Sequence, residues 1–334
     1  MQNKPLVSII TPCHNSESFI FRLLDSVLSQ TYPYVEMFAI DNDSKDGTAA
    51  IINSYIPRFE ERGYKLTYIH QDDLGPSSAI QTGLKYISGD YLLMPDSDDY
   101  YNTDYAIEKW VETFLSLPNN YAIVRCQLQF IDEAGLKPIG IIYEHAAEDG
   151  PDTLFDDCLF GKNGYSFAPI NYMVKISALK ELTNLQIFNA YNFGQQRQIC
   201  LPLYYKYKAW TILEPLACYL VRKKSISHGD YSKYPVQKTL YHKQEEYIDA
   251  IFSCVKSMPD IIKQQYRNRF LKMQVENIVM NALESKAQID IPGYRSDYLR
   301  YGGNLFRFRI CILKCRCRLI KRNIGSILRH SNRK

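Results

Sequence analysis

The chain has 334 residues, 46% of them hydrophobic and 23% charged, with ordinary counts of 16 Gly and 15 Pro. Such a balance excludes a disordered or collagen-like protein and leaves room for one large domain or two modest ones. No run approaches the ~18 apolar residues that a bilayer-spanning helix needs. The net charge of +4 is unevenly spread. Eleven Lys and Arg and no acid fall between Arg300 and Lys334, so residues 1–299 carry −7. An acidic body with a basic tail suits a protein that meets an anionic surface. The nine cysteines are odd in number and lack paired metal-ligand spacing. They read as reduced, buried thiols of a cytoplasmic protein. Cys311, Cys315 and Cys317 have Arg and Lys neighbours that would repel a metal. Met1–Pro5 runs directly into a strand pattern, with no apolar secretory segment.

Leu6-Val7-Ser8-Ile9-Ile10 is an apolar run of strand length, closed by Thr11-Pro12. Ser16-Glu17-Ser18 reads as the cap of a helix whose apolar face is Phe19, Ile20, Leu23, Leu24, Val27 and Leu28. Val35–Ile40 is a second strand, followed by a helix over Thr48 to Arg62. Leu66–His70 is a third, followed by a helix that Ser88-Gly89 stops. Tyr91–Met94 is a fourth. This β-α-β-α-β-α-β rhythm predicts a mainly parallel α/β sheet covered by helices on both faces. Ligands of such sheets bind outside the carboxyl ends of the strands. The polar clusters Thr11–Asn15, Asp41–Asp46, His70–Asp73 and Asp96–Asp99 all fall at those ends.

The last cluster carries three carboxylates in four positions. Like charges at a buried strand end call for a cation, and Asp96-Ser97-Asp98 supplies oxygen ligands for a divalent ion that also takes a diphosphate. The alternative is an acidic turn capping a helix at Asp99 or Asn102. No G-x-G-x-x-G follows the first strand and no G-x-x-x-x-G-K-[ST] occurs, so dinucleotide-redox and P-loop readings lose their support.

Four segments carry a family resemblance. They are Val7–Asn15, Leu24–Tyr32, Ile40–Thr48, and Gly89-Asp90-Tyr91 with Asp96–Asp99. Together they resemble family-2 glycosyltransferases of GT-A fold, such as bacterial capsule, lipopolysaccharide and exopolysaccharide sugar transferases. The resemblance implies inverting sugar transfer from a nucleotide-sugar, usually a UDP-sugar, assisted by Mn2+ or Mg2+. It implies that Thr11, Pro12, His14, Asn15, Asp41, Asp43, Asp73, Gly75, Asp96 and Ser97 bind the nucleotide-sugar, and that Asp96 and Asp98 hold the metal. Asp41 would read the base. Two departures stand out: Asp41-Asn42 replaces Asp-Asp, and Ile80-Gln81 replaces Arg-Asn.

Beyond residue 105 the resemblance is looser. Tyr121–Phe130 alternates like a strand, Leu136–Tyr143 returns as a hairpin, and Asn171–Lys175 precedes a helix. Leu159–Tyr165 reads as a Gly-punctuated loop. An inverting transferase needs a general base for the acceptor hydroxyl. The family places it in a Glu-Asp pair, and the matching residues here are Gln195-Gln196. These are expected to orient the acceptor, with Asp99 or Glu144 as the candidate proton acceptor. Arg222 or Lys224 is expected to close on the diphosphate, and His228 is more simply a surface histidine.

The expected organisation is a GT-A domain over 1–230, with a nucleotide-sugar half at 1–105 and an acceptor half at 106–230. A helical appendage follows at 231–300 and a basic amphipathic tail at 301–334. The tail suits an interfacial helix on anionic lipid, where each basic residue contributes about 1 kcal/mol. The acceptor is expected to be a saccharide or lipid-linked glycan at the inner face of the cell membrane. No nucleic-acid partner is expected. A non-catalytic partner keeping the fold and a nucleotidyltransferase are the competing readings.

Overall fold

The computed structural model describes residues 4–72, 74–134, 136–142, 148–149, 151–163, 165, 168–188, 195–222, 234–285 and 287–314. They form two units, 1–222 with 250–257, and 223–249 with 258–334.

The first unit opens with β1 (Val7–Cys13), α1 (Ile20–Leu28), β2 (Val35–Asn42), α2 (Thr48–Glu61), β3 (Lys65–Gln71), α3 (Pro76–Gly83) and β4 (Tyr91–Leu93). β1 pairs in parallel with both β2 and β4, and β2 with β3. This is the alternation read from the sequence. All residues of β1 and β2 are buried, as expected of parallel strands with both faces covered. α1 buries Ile20, Leu23, Leu24 and Val27 along one stripe, each contributing about 1.5–3 kcal/mol. A Cβ on Gly83 would stand 2.5 Å from Ile10 Cγ2, so α3 approaches β1 this closely only with glycine there. The expected helix cap is displaced. α1 begins at Ile20 without a side-chain cap, and the Ser16 carbonyl accepts from the N–H groups of Phe19 and Ile20. Its hydroxyl is thereby left for another partner.

The first unit continues with β5 (Tyr100–Tyr101), α4 (Ala106–Ser116), β6 (Tyr121–Asp132), β7 (Pro138–Ile142), β8 (Glu148–Asp149), α5 (Pro151–Phe160), β9 (Tyr172–Lys175), α6 (Ile176–Thr183), α7 (Gln195–Lys206) and β10 (Lys208–Val221). The sheet runs β3-β2-β1-β4-β9-β6-β10-β5, with β7 on β6 and β8 on β10. β9 is antiparallel to both β4 and β6, so the sheet is mixed beyond β4. The β6–β7 hairpin and the β9–α6 unit match their sequence signals. α5 occupies the start of what reads as a loop. β10 escapes pattern reading because Glu214-Pro215 interrupts it. Its register on β6 shifts on both sides of Pro215, the bulged setting in which a strand tolerates proline.

The second unit contains α8 (Tyr234–Tyr241), the first half of α9 (Gln244–Cys254), α10 (Asp260–Glu284) and α11 (Ile291–Arg300). α10 buries Phe270, Leu271, Val275, Ile278, Val279 and Ala282. Glu245 accepts from Arg267 at 2.9 Å and Arg300 at 2.7 Å, tying α9, α10 and α11 together. Residues 305–314 are helical. No helix among the described residues is long and apolar enough to cross a membrane.

Candidate nucleotide-sugar site

From β1 the chain builds outward to β2 and β3 on one side, then returns to place β4 on the other. The carboxyl ends of β1 and β4 therefore flank a topological switch point, the place where open α/β sheets bind ligands. The loop after β1 and the loop after β4 meet there, through a 2.7 Å hydrogen bond between the hydroxyls of Ser16 and Ser97.

The loop after β1 is also tied to the loop after β2. His14 is exposed, and its Nδ1 donates to the Asn42 carbonyl at 2.6 Å. That bond leaves His14 Nε2 to accept from Asn15 Nδ2 at 3.0 Å, which assigns the neutral Nδ1–H tautomer. Asn15 takes a φ of +49°, a conformation asparagine tolerates better than most residues. Its side-chain oxygen accepts from the Lys45 N–H at 2.8 Å. Thr11 and Pro12 are buried within β1.

Asp41 is buried at the end of β2. One carboxylate oxygen accepts from the Ser44 N–H at 3.0 Å and the other from the Tyr68 hydroxyl at 2.8 Å. The side chain thus closes its own turn and ties β2 to β3. Burial, and then the bond to Asp41, push the Tyr68 phenol up to about 12. Asp43 sits at φ +58° on this turn with Lys45 Nζ 2.5 Å from its carboxylate, which lowers its pKa. Asn42 explains its own departure from the Asp-Asp pattern. Its amide nitrogen donates to the Gly75 carbonyl at 3.2 Å, while its oxygen accepts from Gln71 at 2.6 Å. An aspartate has no hydrogen to offer the carbonyl. Gly75 has φ +83° and ψ 169° at the start of α3, a region essentially restricted to glycine. Asp73 lies outside the described residues.

The loop after β4 concentrates the charge. Asp96 and Asp98 are half-buried and Asp99 is fully buried. Burial, then the neighbouring Asp98 charge, pushes Asp96 up to about 7. Desolvation likewise raises Asp98, against the lowering effect of Arg222, whose Nη1 lies 2.9 Å from Asp98 Oδ2. The Arg222 guanidinium stacks over the Phe19 ring at 4.3 Å. Arg222 was expected to face the diphosphate; here it holds a carboxylate.

Asp99 departs further from expectation. Its Oδ1 accepts from the Leu220 N–H at 3.0 Å and its Oδ2 is buried without a partner among the described residues. Burial and its two acidic neighbours raise its pKa well above the usual range. This fully buried carboxyl braces the loop against β10. Gln195 and Gln196 open α7, and Gln196 is half-buried. Nearby, Gln198 accepts from the Phe188 N–H at 2.5 Å and donates to its carbonyl at 3.1 Å. Gln81, at the second departure, accepts from Ile187 N–H at 2.7 Å and donates to the Leu185 carbonyl at 3.2 Å. These two amides hold the backbone that leads toward α7. Glu144, Lys224 and His228 lie outside the described residues.

The donor set fits a hard divalent ion. Among the described residues no three His, Cys, Asp or Glu side chains form a metal cage. Asp96 and Asp98 offer two carboxylates, and Mg2+-type ions are typically held by one or two carboxylates with substrate phosphates and water completing the shell. Asp96 is raised by burial and by Asp98, and one Asp99 oxygen has no partner among the described residues, so the carboxylates here ionise fully only with more positive charge than Arg222 alone supplies. Sequence reading missed Ser16, Phe19, Tyr68 and Leu220, which support the site from elements distant in the chain.

Comparison with known proteins agrees with this geometry. The model of the family described as glycosyl transferase family 2 matches residues 8–171. Glycosyltransferase GlyA of Streptococcus pneumoniae is 26% identical over 233 residues, covering 66% of this chain and 31% of GlyA. TuaG of Bacillus subtilis, a putative teichuronic acid biosynthesis glycosyltransferase, is 37% identical over 109 residues, covering 33% of this chain and 42% of TuaG. The chain thus spans less than half the length of these curated relatives. Among solved structures, Staphylococcus aureus TarS 1–349 in complex with UDP-GlcNAc aligns with TM-score 0.63 and 17% identity, covering 92% of this chain and 81% of that one. This likeness is one of fold.

Proposed function

Because the model of glycosyl transferase family 2 matches residues 8–171, we propose that the chain moves a sugar, with inversion, from a nucleotide-sugar to a saccharide or lipid-linked acceptor. The observation that carries this reading is the meeting of the Ser16 and Asp96–Asp99 loops at the sheet's switch point. UDP-GlcNAc, bound by the TarS structure that shares the fold, makes UDP-sugars the first donors to test.

In this reading Asp41 and the His14–Asn15 loop receive the nucleoside, and Asp96 and Asp98 face the diphosphate. A bound Mn2+ or Mg2+ would supply Lewis-acid stabilisation of the leaving nucleoside diphosphate. Asp99 positions the loop from behind. Gln196 orients the acceptor by hydrogen bonding, since an amide does not take a proton near neutral pH. The paired glutamines also motivate the competing reading of a non-catalytic partner that retains donor binding.

The basic end of the chain supports a membrane-surface location. Helical residues 305–314 expose Leu305, Phe306 and Leu313 beside Arg307, Arg309 and Lys314, a mixture suited to an anionic bilayer interface. Residues 315–334 lie outside the described residues. Co-sedimentation with phosphatidylglycerol but not phosphatidylcholine vesicles, lost on deleting 301–334, tests this part.

The central test is a panel of nucleotide-sugars, scored by thermal stabilisation and by donor turnover with and without Mn2+. Stabilisation with turnover supports the transferase. Stabilisation without turnover toward any acceptor or water favours the non-catalytic partner, and no response to any donor removes both.

A further inference from the structure

Arg222 is paired with one carboxylate of a cluster of three acids. Its Nη1 lies 2.9 Å from Asp98 Oδ2, and the two side chains are only 24% and 20% exposed. The guanidinium rests on the face of Phe19 at 4.3 Å, a contact that favours a cation at that spot whatever anion it meets. Among the described residues, no other Lys or Arg forms an ion pair with Asp96, Asp98 or Asp99. One permanent positive charge therefore answers three acids in four positions.

A divalent ion would seek the same carboxylate. Because Arg222 Nη1 lies 2.9 Å from Asp98 Oδ2, an ion held by Asp98 would stand close to the guanidinium, and the two cations would repel. A nucleoside diphosphate resolves that conflict, because its oxygens offer the planar guanidinium a bidentate partner.

We propose that Arg222 is a stand-in cation: it occupies Asp98 while the site is empty and transfers to the diphosphate when nucleotide and metal arrive together. This rests on the nucleotide-sugar reading above. The consequence is a coupling between the two ligands. Metal alone binds against Arg222, whereas metal with diphosphate binds with its help, and linkage requires each ligand to tighten the other by the same factor.

The experiment is a Mn2+ titration followed by electron paramagnetic resonance, with and without UDP, on wild type, Arg222→Gln and Arg222→Lys. Wild type should bind Mn2+ weakly alone and at least tenfold more tightly with UDP. Arg222→Gln should bind Mn2+ alone several-fold more tightly than wild type, and UDP should then improve it little. Arg222→Lys should stay near wild type for Mn2+ alone, because the charge is kept. Phe19→Leu leaves every charge in place and loosens the seat of the guanidinium. It should shift the binding of Mn2+ alone in the same direction as Arg222→Gln, by less, and serves if Arg222→Gln fails to fold. If wild type couples Mn2+ to UDP but neither Arg222→Gln nor Phe19→Leu tightens Mn2+ alone, the stand-in role is overturned and the transferase reading stands. If wild type binds neither UDP nor any other nucleoside diphosphate with Mn2+, the nucleotide reading falls and takes this role with it.

Discussion

The hydroxyls of Ser16 and Ser97 lie 2.7 Å apart, joining two loops separated by 81 residues. Ser16 reads locally as a helix cap, but its hydroxyl spans the crevice between β1 and β4. A hydrogen bond between neutral hydroxyls contributes about 1 kcal/mol net. If that energy fixes the Asp96–Asp98 loop for its ligand, Ser16→Ala and Ser97→Ala should each weaken UDP binding in Mn2+ by roughly fivefold. Calorimetry on both variants and the double variant checks this. The double variant should lose no more than either single one, whereas multiplied losses would mean the two hydroxyls act separately.

Asp98 carries the next prediction. Asp98→Asn keeps the shape of the side chain and removes its charge, leaving Arg222 without an anionic partner there. Loss of a preorganised electrostatic group at the leaving diphosphate costs on the order of a hundredfold to a thousandfold in turnover. Donor turnover at saturating UDP-sugar should fall by that amount and lose its dependence on Mn2+. A variant within threefold of wild type would show that the metal, if used, is held elsewhere.

The first 95 residues were legible because each strand is a compact apolar run that ends in a polar cluster. That pattern alone located the rim and the carboxylates. Support for the site was not legible, because it comes from across the chain. Leu220 gives its N–H to Asp99 from 121 residues away, on a strand whose Glu214-Pro215 interruption hides it. The sequence offers Arg222 or Lys224 as a cation for the diphosphate, but not the carboxylate that Arg222 meets in the fold. Local pattern says which residues carry charge and not which opposite charge the fold brings near. Asp99 illustrates the same limit: its place beside the metal motif does not reveal that the fold buries it completely.

Asp96 contributes to the pH response of the metal-free protein, in the same direction as its raised neighbours Asp98 and Asp99. Its pKa rises from the ordinary 3.8 to about 7 on folding, chiefly through burial. Between those values the folded state holds a proton that the unfolded state has released. Stability therefore falls as pH rises through this window and levels off above about 7. In EDTA, the melting temperature should drop between pH 5 and pH 7.5, and Asp96→Asn should flatten that part of the profile. An increase in stability across the same window, in wild type but not in Asp96→Asn, would contradict the assignment.

Asn42→Asp isolates the departure at the end of β2. The exchange is nearly isosteric and restores the pair of acids that the family resemblance leads one to expect. It also replaces the N–H that meets the Gly75 carbonyl with an oxygen, and puts a second carboxylate beside buried Asp41. Gln71 still donates to the remaining oxygen, so only one of the two contacts is reversed. The Gly75 carbonyl keeps its bond from the Ala79 N–H, so the loss is one hydrogen bond, about 0.5–1.5 kcal/mol, plus the larger cost of setting a buried negative charge against that carbonyl. Urea unfolding at pH 7 should therefore show Asn42→Asp destabilised by about 2 kcal/mol or more. Near pH 4 the new carboxyl can take up a proton and donate again, so part of the loss should be recovered there. Equal stability to wild type at pH 7 would mean that the β2 loop accommodates the acid by releasing Gly75, and that the amide is not what holds the start of α3.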